Sequence, residues 1–122
     1  MDRAYFESLV ARAVESLPEE LLEEMENVDI QVSDYPTGDQ KRALRGRENE
    51  MLLGLYEGIP LTVRGNHYGF VVPDRITIFK KNIERICHSD QEIVDEVRRV
   101  VIHEIAHHFG IDDDRLDELG WG

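Results

Sequence analysis

From residue 2 to residue 17, the apolar side chains Tyr5, Phe6, Leu9, Val10, Ala13, Val14 and Leu17 recur at intervals of three and four. That spacing gathers them into one stripe and predicts an amphipathic helix. Pro18 interrupts it. A shorter acidic helix is predicted over 19–27, with Ser16 as candidate cap, Pro18 suited to the first turn, and Leu21, Leu22 and Met25 facing inward. Val28-Asp29-Ile30-Gln31-Val32 then alternates strictly, as a strand with one buried face does. Residues 34–49 shift to turn formers and charge and are expected to form a mobile surface loop.

The continuous apolar run Met51-Leu52-Leu53-Gly54-Leu55-Tyr56 reads as a central strand. Gly58-Ile59-Pro60 turns it toward a short extended piece at 61–63, and a Gly-flanked loop containing His67 and Tyr68 precedes Phe70-Val71-Val72. After Pro73-Asp74, the alternation of Arg75-Ile76-Thr77-Ile78-Phe79 predicts an edge or near-edge strand. A short helix is expected over 82–88, carrying Ile83, Ile86 and Cys87. The last long helix has the clearest start: Ser89 and Glu92 form a capping box ahead of Ile93 and Val94, and the helix should run from Asp90 to Phe109. Gly110 stands where a left-handed cap is needed, and the acidic stretch 112–119 turns away.

With 122 residues, the chain has the length of one domain, 1–122. A net charge of -12, from 14 Lys+Arg against 26 Asp+Glu, argues against nucleic acid as a partner, since phosphate backbones are held by positive surface. No apolar run approaches the ~18 residues that a membrane span requires. Residues 1–10 lack the basic start and apolar stretch of a secretory leader, so a cytoplasmic location is expected. The single cysteine, Cys87, has no internal disulfide partner and is expected to be buried rather than a ligand. Lys41, Arg42, Arg45 and Arg47 crowd one loop, which reads as a solvated surface.

The predicted C-terminal helix carries His103-Glu104-Ile105-Ala106-His107. Two histidines four residues apart lie one turn above the other, close enough to bind a single Zn2+ ion, and Glu104 on the adjacent stripe can act on water without being a ligand. At 100° per residue these three fall beside the apolar stripe of Ile93, Val94, Val97, Val101, Ile105 and Phe109. There they would be held by the core yet open to substrate. A catalytic zinc site needs a third protein ligand, and Gly110 with Asp113 completes H-E-x-x-H-x-x-G-x-x-D. Asp112, Asp114 and Asp117 are neighbouring alternatives. Chance assembly of the full pattern from this composition has a probability on the order of 0.0002, too small for coincidence. His108 projects into the apolar stripe and is expected to be a packed core histidine, or one that supports the ligands from behind, rather than a fourth ligand, which would close the catalytic position. His67 and Tyr68 are candidate oxyanion or substrate contacts, and Trp121 a packing anchor.

The stretch HEIAHHFGIDDDRLDELGW at 103–121, with LLGLYEGIPLTVR at 52–64 and PDRITIFKKNI at 73–83, resembles the small bacterial zincin-like metallopeptidases. The resemblance spans most of the chain. It implies a compact α+β domain in which a small mixed sheet is backed by helices and crossed by the C-terminal active-site helix. It also implies one Zn2+ ion, a peptide or protein substrate laid along an edge strand, for which 75–79 is the candidate, and peptide-bond hydrolysis with Glu104 as general base. Asp113 stands where larger metzincins carry a third histidine. Two other functions are compatible with parts of the pattern. One is a zincin-like scaffold that binds a partner without catalysis. The other is an RNA-maturation nuclease with H-x-x-x-H spacing, which Glu104 and the negative charge disfavour.

Overall fold

The computed structural model describes residues 1–42, 51–58, 73–111 and 113–120, excluding the side chain of Asp113. The extended piece at 61–63, the loop with His67 and Tyr68, the segment 70–72, Arg45, Arg47 and Trp121 lie outside the described residues. In chain order the elements are helix α1 (Arg3–Glu15), helix α2 (Glu19–Glu24), strand β1 (Val28–Ser33), helix α3 (Gly38–Arg42), strand β2 (Gly54–Glu57), strand β3 (Asp74–Phe79), helix α4 (Lys80–Ile86), helix α5 (Asp90–His108) and helix α6 (Asp113–Glu118). The fold is α+β, as the resemblance implied, with a mixed sheet of three strands among the described residues.

Helix α1 buries Phe6, Leu9, Val10 and Ala13, and Tyr5 at the margin of the stripe is exposed. Ser16 does not cap α2. It closes α1 instead, its hydroxyl donating to Ala13 O at 2.7 Å, and α2 begins at Pro18 with no side-chain cap. The shared core joins Phe6, Leu9 and Leu21 to Ile76 and Ile78 of the sheet and to Val97, Val101 and Ile105 of α5. Each such side chain contributes about 1.5–3 kcal/mol of burial.

The strand order is β1-β3-β2, with β3 parallel to β1 and antiparallel to β2. Among the described residues, 75–79 lie in the middle strand, paired on both sides, and the run expected to be central, 51–56, yields a four-residue outer strand, Gly54–Glu57. Ile76, Thr77, Ile78 and Phe79 are all buried, so β3 is covered on both faces even though its sequence alternates. The alternation misled because the face that carries Thr77 and Phe79 is covered as well as the face that carries Ile76 and Ile78. Leu52 and Leu53 are apolar for a different reason: they lie ahead of the strand, where Leu53 packs on the core and Leu52 O accepts from Asn82 Nδ2 at 2.8 Å.

Part of the expected loop at 34–49 is helix α3. A capping box starts it: Gln40 N–H donates to Thr37 Oγ1 at 3.1 Å, and Thr37 N–H donates to Gln40 Oε1 at 2.9 Å. Gln40 also donates to Glu57 at 2.9 Å, tying α3 to the end of β2. Lys80 is a buried cation, matched by Glu84 at 3.0 Å. Burial alone would raise the Glu84 carboxyl, but hydrogen bonds from Lys80 and the N-terminal ammonium outweigh it and hold the group below its ordinary value. Among the described residues, no helix is long and apolar enough to cross a membrane.

Candidate active site

Helix α5 begins as its sequence predicts, with Ser89 Oγ accepting from Glu92 N–H at 3.1 Å. The return half of the box is displaced by one residue, because the Glu92 carboxylate accepts from His88 N–H instead of Ser89 N–H. From there the helix crosses the sheet beside β2, where Gly54 makes the approach possible. A Cβ at position 54 would stand 2.5 Å from Val100 Cγ1. One turn beyond Val100, the side chains that face the cleft are His103 and Glu104, half-buried, and His107, exposed.

The two imidazoles of His103 and His107 lie side by side, with ring centroids 4.2 Å apart and planes inclined at 43°. Glu104 points toward the edge strand, and its Oε1 accepts from the backbone N–H of Tyr56 at 2.9 Å. Together with Leu52, Leu55, Tyr56 and His108, these residues line an open cleft of about 260 Å3. The floor is α5 and the wall is β2. A cleft of this kind offers two nitrogen donors, a carboxylate and an apolar wall within one small volume.

Helix α5 ends in a Schellman motif. Gly110 takes φ +73°, Ile111 N–H donates to Ala106 O at 2.7 Å, and Gly110 N–H donates to His107 O at 3.3 Å. The chain reverses there, and Asp113 is the first residue of α6, which Leu116 anchors in the core. Within the acidic stretch at 112–119, residues Asp113–Glu118 are helical. Asp114 and Asp117 are exposed on α6. Paired imidazoles suit zinc, a borderline-soft ion that accepts nitrogen donors readily. Among the described residues no third His, Cys, Asp or Glu completes a set around them.

His108 is not packed in the core, the first of its two expected places; it is exposed at the cleft beside the paired histidines, stacked on Tyr56 with centroids 4.0 Å apart and planes at 20°. Phe109, also assigned to the stripe, is exposed and meets His108 edge-on at 5.0 Å. Both residues fall at the C-terminal end of α5, His108 as its last residue and Phe109 as its cap. Sequence reasoning missed Tyr56, which lines the cleft, and Asp74, which holds its hydroxyl. The Tyr56 hydroxyl donates to Asp74 Oδ2 at 2.7 Å, and His108 Nε2 stands 3.8 Å from the same oxygen. No local motif marks either residue, since β2 and β3 bring them together only through the register Tyr56↔Ile76. Cys87 lies apart, at the end of α4, and is half-buried. Burial pushes its thiol up, and Glu96 and Glu92 add to the effect, so it is a poor thiolate.

A family model described as zincin-like metallopeptidase matches residues 25–121. No curated protein matches the chain.

Proposed function

Because the chain belongs to the zincin-like metallopeptidase family, we propose that the cleft between α5 and β2 hydrolyses peptide bonds, with zinc held by His103, His107 and Asp113. The observation that carries this reading is the meeting of His103, Glu104 and His107 in one open cleft beneath a strand edge. Zinc held there would supply Lewis acidity, the chemistry that lowers the pKa of a bound water toward ~7 and polarises a carbonyl.

Each remaining step falls to the protein. Glu104 is held by one oxygen, Oε1, through Tyr56 N–H. Its other oxygen is the one to take a proton from the attacking water and return it to the leaving amide nitrogen. The strand that aligns substrate is β2 rather than 75–79, because β3 is paired on both sides and cannot accept an added strand. Leu52 and Leu55 provide apolar wall for the substrate's side chains. An extended peptide laid along β2 would have its backbone above the paired imidazoles.

The test is metal analysis of the purified protein together with cleavage of a broad peptide library. One zinc per chain is expected, with loss of zinc from the His103→Ala/His107→Ala variant. Glu104→Gln should retain zinc while kcat falls by about 10²–10⁴-fold. Cleavage that survives Glu104→Gln would overturn the assignment of the base. Zinc binding without cleavage of any peptide would replace the enzyme reading with that of a partner-binding scaffold.

A further inference from the structure

The proposed chemistry uses Tyr56 only through its backbone, yet its side chain is held at both its ring and its hydroxyl. Residues 104 and 108 are one turn apart and so share a stripe beside that of His103 and His107. Both reach Tyr56. Glu104 Oε1 accepts from the Tyr56 N–H at 2.9 Å, and the His108 ring lies nearly flat on the Tyr56 ring at 4.0 Å. At the far end of the same side chain, the Tyr56 hydroxyl donates to Asp74 Oδ2 at 2.7 Å.

These contacts matter because of where Tyr56 sits. It lies on a four-residue strand that, among the described residues, pairs on one side alone, and so short an element is prone to local opening. Glu104 has three side-chain torsions and is only half-buried, so burial alone does not fix its carboxylate. A general base displaced by about 1 Å can lose about a hundredfold in rate. Clamping the ring of Tyr56 between His108 and Asp74 fixes the backbone at that residue, and the backbone N–H fixes the carboxylate.

We propose that Tyr56, clamped by His108 and Asp74, positions Glu104, so that His108 serves the reaction through Tyr56 and not by touching substrate. The inference rests on Glu104 being the base, but its first test does not need catalysis. In His108→Ala, exchange of the Tyr56 amide proton should accelerate about tenfold, while the amides of Thr77 and Ile78 in β3 keep their wild-type rates. His108→Phe keeps a stacking ring and should keep the protection. Tyr56→Phe, which keeps the stacking ring but loses the hydroxyl's bond to Asp74, should fall between them. Unchanged exchange in His108→Ala overturns the proposal.

The second test reads turnover. His108→Ala should lower kcat by about tenfold with KM within about twofold of wild type and zinc content unchanged. His108→Phe should restore kcat. In a Glu104→Gln background, removing His108 should cost nothing further, because a positioning residue has no effect once its target is gone. An equal loss in the Ala and Phe variants, additive with Glu104→Gln, would show that the imidazole acts on substrate directly and would overturn the inference. A wild type that cleaves no peptide removes the peptidase reading alone, and amide exchange still decides the clamp.

Discussion

A Cβ atom at position 54 would stand 2.5 Å from Val100 Cγ1 and 3.2 Å from the carbonyl oxygen of Thr77. One neighbour is a branched side chain on α5 and the other is backbone of β3, so neither can move aside cheaply. Gly54 is therefore the residue that lets the active-site helix lie close to the edge strand, and this spacing lets Glu104 reach Tyr56 N–H two residues later. Gly54→Ala should destabilise the protein by about 1–3 kcal/mol, the usual cost of overpacking, measured as a lower midpoint in urea with the slope unchanged. The turnover of this variant should fall further than its folded fraction does, since β2 must shift away from Glu104. A variant of full stability and full turnover would show that the close approach is unimportant.

At the scale of elements, α5 depends on its first turn, where Ser89 is the N-cap and Asp90 and Glu92 place negative charge near the positive end of the helix dipole. Ser89→Ala should cost about 1 kcal/mol, read from thermal melts, and should leave the distant cleft unchanged in turnover. The same cap shows why this helix was legible in the sequence. Its start, apolar stripe and Gly110 stop are all local, with each signal fixed by residues within a turn of one another. The two histidines and Glu104 come with it, because spacing on a helix determines which side chains share a face. Strand roles are not local in that sense. Whether 51–56 or 75–79 is central depends on which partners pair on either side, and neither run encodes its neighbours. Thr77 looked solvent-facing because its chemistry is polar, and Leu52 and Leu55 looked like core because a cleft wall is also apolar. Helix α3 was legible after all. Thr37 and Gln40 form a capping box of the same kind as Ser89 and Glu92, overlooked because the surrounding residues are turn formers and charges.

At the scale of the whole molecule, Gly110 joins two elements that the proposed metal would also join. His103 and His107 lie on α5, Asp113 opens α6, and the Schellman turn reverses the chain between them. An ion held by all three would tie α6 to α5 in addition to the anchor provided by Leu116. Such an ion binds the folded chain and not the unfolded one, so it adds stability by mass action, about 2.7 kcal/mol at a free concentration one hundred times its Kd. For a chain of this length that corresponds to a rise in Tm of roughly 10 °C. Zinc added to metal-free protein should produce this shift, and a chelator should abolish it. His103→Ala should show almost none of it. Asp113→Ala should lose most of it, whereas Asp114→Ala, altered at an exposed position on the same helix, should retain it in full. If Asp114→Ala or Asp117→Ala loses the shift while Asp113→Ala keeps it, the third ligand lies further along α6. The reversal at Gly110 must then bring that helix over the cleft by a different face.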